Sequence, residues 1–343
     1  MSDEQLTDVR KGHELNKAKL GNYLSREIPG FDAAISIRQF EGGQSNPTYL
    51  LESAGRRYVL RKKPPGKLLT SAHMVEREYR IMHGLRESPC PVPRVHLLCE
   101  DEDIIGTTFF IMDYVEGRLL KNPALPNSSP EDRREVYLEM NQVLGSLHCI
   151  DPREYGLENF GKTGNYFQRQ VDRWTKQYLA AKTDEIESME CLMKWLPVNV
   201  PADDSSSIVH GDYLLNNMMF DSRRNEIIAV FDWELSTLGH PLADLAYNCM
   251  PYYMNTSGPT LSEMIDSGVP SETEYLDLYC KNTGRSGIEN WNFYLAFSFF
   301  RFASIVQGVY KRGIDGNASS DYAKSLGPLV AGVGDLAWNL ADA

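Results

Sequence analysis

Two apolar runs that each lead into an aspartate, Asp212 and Asp232, twenty residues apart, constrain this chain more than any other feature. Ile208-Val209 reads as a short strand that delivers His210-Gly211-Asp212 onto a loop, and Asn217 follows Asp212 five positions later. Met218 to Phe220 and Ile227 to Phe231 then read as the two arms of a hairpin, the second ending in Asp232. A single Asp at a strand end is usually a turn or cap residue. Two of them, with an Asn at a fixed offset and a hairpin between, are hard to explain jointly as turns. The residue types are those that phosphoryl transfer requires. A carboxylate can accept a hydroxyl proton, and hard oxygen ligands can hold a cation that offsets phosphate charge.

Protein kinases use the same Asp-to-Asn spacing, the Asp accepting the proton, the Asn binding magnesium, and a later strand-end Asp bridging magnesium to the phosphates. The N-terminal half offers matching parts. Ile35 to Phe40, Thr48 to Glu52 and Arg57 to Arg61 alternate or are rich in β-branched residues, which predicts strands, after a helix over Glu14 to Ile28 closed by Pro29-Gly30. Tyr58-Val59-Leu60-Arg61 ends in a cation, with Lys63 on the same strand face, and Glu76 and Glu78 open the next predicted helix. A strand cation paired with a helix carboxylate orders nucleotide phosphates in kinases. The turn-rich Gly42-Gly43-Gln44-Ser45-Asn46 segment, which departs from G-x-G-x-x-G, reads either as the loop over the phosphates or as a plain hairpin turn.

Two more strands, Val95 to Cys99 and Thr108 to Met112, follow the Pro89 to Pro93 breaker. Beyond Val115 the pattern turns helical, over Pro130 to Ile150, Tyr166 to Lys182, Glu187 to Leu196 and most of Pro241 to Trp338. The expected organisation is α+β and bilobal, with a β-rich lobe over residues 1–114 and a mainly helical lobe over 115–343 that carries the catalytic loop. The formal net charge of −12 disfavours nucleic acid or an anionic membrane as partner. The six cysteines show no metal or redox spacing, the first twenty residues lack a signal-peptide core, and no long uninterrupted apolar run is present. A cytoplasmic protein is the expectation, and nothing in the pattern indicates an oligomeric state.

These residues resemble the aminoglycoside phosphotransferase / choline kinase-like superfamily, which carries H-G-D-x-x-x-x-N followed by a strand-end Asp. Four stretches look closer to one branch, the kinase-like domain joined to some acyl-CoA dehydrogenases and its free-standing bacterial relatives. They are Gly43 to Tyr49, Val59 to Gly66, Asp232 to Gly239 and Pro241 to Tyr247. The resemblance implies a protein kinase-like fold, ATP (or GTP) and magnesium. It implies Asp212 as catalytic base, Asn217 and Asp232 as magnesium ligands, and Arg61, where many relatives have Lys, paired with Glu78. It further implies that Gly43 and Ser45 lie at the phosphates and that the backbone of Asp113 and Val115 meets adenine. His210 is expected to orient the loop, and Asp244 to buttress it.

The acceptor is less constrained. Arg169, Arg173, Trp174 and Tyr178 recur at helical spacing, as do Phe297, Arg301 and Ile305. They read either as a core stripe with solvated arginines or as a pocket for an anionic or amphipathic hydroxylated ligand. The resemblance favours a hydroxyacyl-CoA-like small molecule. An aminoglycoside acceptor and a nucleotide-binding pseudokinase are the alternatives.

Overall fold

The computed structural model describes residues 6–41, 46–64, 74–255, 258–264, 266–316 and 321–343. Its first elements are β1 (Leu6–Thr7), α1 (Lys17–Glu27), β2 (Ser36–Phe40), β3 (Thr48–Ser53), β4 (Arg56–Lys62), α2 (Val75–Leu85), β5 (Val95–Cys99), α3 (Glu102–Ile105), β6 (Phe109–Asp113) and β7 (Arg118–Leu119). There follow α4 (Pro130–His148), α5 (Tyr166–Ala181), α6 (Glu187–Trp195), β8 (Ser207–Val209), β9 (Met218–Phe220), β10 (Ile227–Val230), β11 (Thr237–Gly239), α7 (Pro241–Cys249), α8 (Glu272–Thr283), α9 (Trp291–Ile314) and α10 (Gly327–Ala341). An antiparallel sheet comes first and helices dominate afterwards, which makes the chain α+β. The first helix begins later than its periodicity suggests, because the Asn16 side chain accepts the Lys19 N–H at 3.0 Å and caps it there.

Two compact units emerge, and neither is one continuous block. The first holds the chain up to Leu125, Pro152–Glu158 and Leu215–Ser236. Its main sheet is antiparallel throughout, in the order β1-β2-β3-β4-β6-β5. Side chains alternate between its faces. Tyr49, Leu51, Tyr58, Leu60, Phe109 and Ile111 pack with Leu20, Leu24 and Ile28 around α1. The intervening Leu50, Val59 and Phe110 are also buried, and the Tyr79 ring of α2 meets Phe110 at 6.3 Å. Arg61 shares the face of Val59, which directs it toward α2. A second sheet in this unit, in the order β10-β9-β7, is tied down where the Val230 N–H donates to the Pro91 carbonyl at 2.9 Å.

The second unit comprises Pro126–Asp151, Asn159–Leu214 and Thr237–Ala343. Within it β8 pairs antiparallel with β11, and α4 to α10 supply the rest. Helix α9 is long and apolar enough to cross a bilayer by composition, but 72% of its apolar window is buried inside the protein. Helices α5, α7 and α10 pack against it, so this is the pattern of a core helix. All six cysteines are free thiols.

Candidate active site

In the first unit the functional side chains converge on the end of β4. The Arg61 Nε stands 2.9 Å from Glu78 Oε2, and an Arg61 terminal nitrogen donates to Asp232 Oδ1 at 3.0 Å. Glu234 completes the ring of carboxylates at 4.0 Å from the same guanidinium. Glu78 is almost fully buried, and the side-chain amide of Asn46 donates to its other oxygen at 3.3 Å. Burial raises the Glu78 pKa to about 7 in spite of the opposing charge of Arg61. Burial works against the Arg61 charge, yet Glu78, Asp232 and Glu234 outweigh it and raise the Arg61 pKa. Lys63 pairs separately with Glu76 at 2.8 Å, so each strand cation has its own carboxylate on α2.

Asp232 occupies left-handed backbone, with φ +63° and ψ +57°. A non-glycine residue there stores strain, which persists where the surroundings over-determine it. The restraint is visible one residue on: Trp233 is fully buried, and its indole N–H donates to the Val230 carbonyl at 2.9 Å. Across the hairpin Met218 pairs with Val230, and the Phe231 N–H donates to the Asn217 carbonyl at 2.8 Å. That register brings Asn217 and Asp232 to the same end of the β9–β10 pair. At the end of β6 the Asp113 carboxylate meets His96 Nε2 at 2.7 Å, and the Asp113 N–H is engaged by the Arg94 carbonyl at 2.9 Å. Val115 follows two residues later, while Gly43 and Ser45 lie outside the described residues.

The second unit holds Asp212. The Asp212 N–H donates to His210 Nδ1 at 3.1 Å, and the His210 ring is fully buried. The Asp244 carboxylate accepts the N–H groups of His210 and of Gly211, the latter at 2.8 Å. Burial opposes the Asp244 charge, but hydrogen bonds and the charge of His148 lower its pKa overall. Gly211 has φ +85°, a conformation that a side chain would strain, and its carbonyl accepts from Arg301. Tyr213 is buried next in line, donating to the Met140 carbonyl at 2.9 Å, while Asn248 donates to the Tyr213 carbonyl at 3.2 Å. The buried Tyr247 hydroxyl donates to the Asp212 carboxylate; burial first and that carboxylate second raise the Tyr247 pKa.

The sequence profile of the phosphotransferase enzyme family matches residues 36–274, well over half of the chain. The chain belongs to this phosphotransferase family. Mouse acyl-CoA dehydrogenase family member 10 is 49% identical over 97% of the chain, which spans 32% of that longer protein. A Ralstonia eutropha JMP134 structure, named as a candidate aminoglycoside phosphotransferase, is 43% identical with a TM-score of 0.88, covering 96% of this chain and 99% of that one. A thermostable mutant of the aminoglycoside phosphotransferase APH(4)-Ia, in complex with ADP and hygromycin B, shares the fold at 15% identity and a TM-score of 0.60, covering 94% and 98%. The chain therefore has the kinase-like, bilobal α+β fold of phosphotransferases.

Phosphotransferases of this fold imply a nucleotide and a divalent cation. Oxygens of Glu78, Asp232 and Glu234 lie within 4.8 Å of one another, and Asn217 shares their end of the hairpin. An all-oxygen set suits a hard cation such as magnesium, so the residues present fit it. Three neighbours escaped the sequence reading. Glu234 was visible only as part of the Asp232-Trp233-Glu234 run, Asn46 only as part of Gly43 to Tyr49, and Tyr247 only as part of Pro241 to Tyr247. A cleft of about 370 Å³ lined by Trp195, Asn199, Asn290, Trp291, Asn292 and Phe293 offers no titratable side chain for this chemistry.

Proposed function

We propose that this chain is an ATP- and magnesium-dependent phosphotransferase that moves the γ-phosphate to the hydroxyl of a small molecule, with a hydroxyacyl-CoA-like metabolite as acceptor. The observation that carries the proposal is Asp232 at the end of β10, held in left-handed backbone beside Arg61 and Glu78. In this reading Asn217 and Asp232 would hold magnesium, whose charge, when bound, offsets that of the phosphates. Arg61 faces the phosphates and Glu78 fixes its direction. With its own N–H engaged, Asp113 offers adenine a carbonyl, and the donor is the Val115 N–H.

Asp212 takes the proton of the acceptor hydroxyl. His210 holds its backbone, and Tyr247 directs its carboxylate. This preorganisation lets the base act without reorganising when the bond forms. The acyl-CoA acceptor is supported by the acyl-CoA dehydrogenase name of the mouse relative, and the aminoglycoside alternative by the name of the Ralstonia protein.

The test is magnesium-dependent ADP release with hydroxyacyl-CoA, aminoglycoside and amino-alcohol acceptors side by side. Hydroxyacyl-CoA should be consumed, and Asp212→Ala should slow transfer at least about a hundredfold. Turnover close to normal in Asp212→Ala would remove it as the base, and inactivity with every acceptor would sink the enzyme reading.

A further inference from the structure

Helix α9 carries no charged residue from Trp291 to Tyr310 except Arg301, and Arg301 is 6% exposed. Its guanidinium lies 5.5 Å from the Trp174 ring centroid and 4.9 Å from that of Tyr247, and its hydrogen bond goes to the Gly211 carbonyl. A second guanidinium, that of the exposed Arg173, lies 5.4 Å from the same Trp174 ring. Among the described residues neither has a carboxylate within ion-pair distance. Arg61, by contrast, is matched by three carboxylates.

Two cations sharing one indole, one of them buried, leave positive charge uncompensated. Aromatic faces offset part of that cost but do not cancel the repulsion between like charges. Desolvation, and then the charge of Arg301, lower the Arg173 pKa, the reverse of what a satisfied ion pair does. The buried Tyr166 hydroxyl senses the same field. Burial raises its pKa to about 12; Arg301, Arg173 and Arg169 pull it down while Asp244 pushes it up. Guanidinium forks match the two oxygens of a carboxylate or phosphate.

We infer that Arg173 and Arg301 bind an oxyanion on the acceptor whose hydroxyl is phosphorylated. The site lies beside the base, because the Tyr247 ring lies against Arg301 while its hydroxyl meets the Asp212 carboxylate. The inference rests on Asp212 as base, the role proposed above. It also gives a physical reason against polycationic acceptors, which these two arginines repel. The oxyanion belongs either to a free hydroxy acid or to the phosphate of a carrier such as coenzyme A.

The experiment compares 4-hydroxybutyrate with its neutral isostere 4-hydroxybutyramide, and adds the coenzyme A thioester of the acid. ADP release and equilibrium binding by ligand-observed NMR are both measured, for the full chain and for Arg173→Met and Arg173→Glu. The charged acceptor should be preferred at least tenfold in kcat/KM, and Arg173→Met should lose most of that preference. Arg173→Glu should reverse it, and because Arg173 is exposed both variants should fold. A preference seen with the free acid assigns the oxyanion to a carboxylate, and one confined to the thioester assigns it to the carrier phosphate. Equal use and equal binding of charged and neutral probes would overturn the inference, as would an unchanged ratio in both variants. Binding of the anion that is lost in Arg173→Met, with no ADP from any acceptor, would uphold the oxyanion site and refute the transfer reading instead.

Discussion

Glu78 is a carboxylate that the fold buries against the cation it serves. Its pKa of about 7 lies above the ordinary 4.5, burial being the main cause and Arg61 the main opposing one. A folded-state pKa raised in this way means that the folded chain binds the proton more tightly than the unfolded chain. The associated stability is fully present below about pH 4.5 and is lost as pH rises through about 7, for a total on the order of 3 kcal/mol. Glu78→Gln, which is neutral at every pH, should remove this dependence. Urea unfolding at pH 5 and pH 7.5 would measure it: the wild-type advantage over the variant should shrink between the two. An advantage that did not shrink between the two would mean that Glu78 is ionised throughout and that Arg61, not burial, sets its charge.

At the scale of elements, strands and helices with a sustained period were legible in the sequence, and very short ones were not. Strands β3, β4, β9 and helices α4 and α5 fall within a residue or two of where their alternation or helical spacing puts them. The strands Leu6–Thr7, Arg118–Leu119 and Thr237–Gly239 were invisible, because two or three residues have no period and exist only through their partners. The same divide runs through the site. Asp212, Asn217 and Asp232 stood out by fixed spacing, whereas Glu234, Asn46 and Tyr247 matter through contacts with residues distant in sequence. Helix α1 shows how such a contact overrides propensity. Alanine is the better helix former by about 1 kcal/mol. A Cβ at Gly21, however, would meet the Ala33 backbone oxygen at 2.0 Å. Gly21→Ala should therefore destabilise the chain by about 1–3 kcal/mol, read from its urea midpoint. A stabilised variant would show that the Ala33 backbone yields freely.

For the whole molecule, the formal net charge of −12 leaves room for local cations at the proposed site. The half-buried Arg61 in the first unit and the buried Arg301 in the second stand where the proposed reaction brings negative charge. The division into units also separates the proposed roles. Arg61, Glu78, Asn217 and Asp232 belong to the first unit, and Asp212 belongs to the second. Nucleotide binding and proton acceptance should therefore come apart under mutation. A ligand that binds only the folded chain stabilises it by about 2.7 kcal/mol at a hundred times its Kd. Magnesium-ATP should raise the unfolding temperature of the wild type and of Asp212→Ala alike, by a few degrees for a domain-sized protein. Asp232→Ala should lose most of that rise, and omitting magnesium should weaken it in the first two proteins. If Asp212→Ala lost the thermal shift and Asp232→Ala kept it, the two carboxylates would have to exchange roles. Asp232, strained in left-handed backbone, would then be acting on the acceptor rather than on the nucleotide.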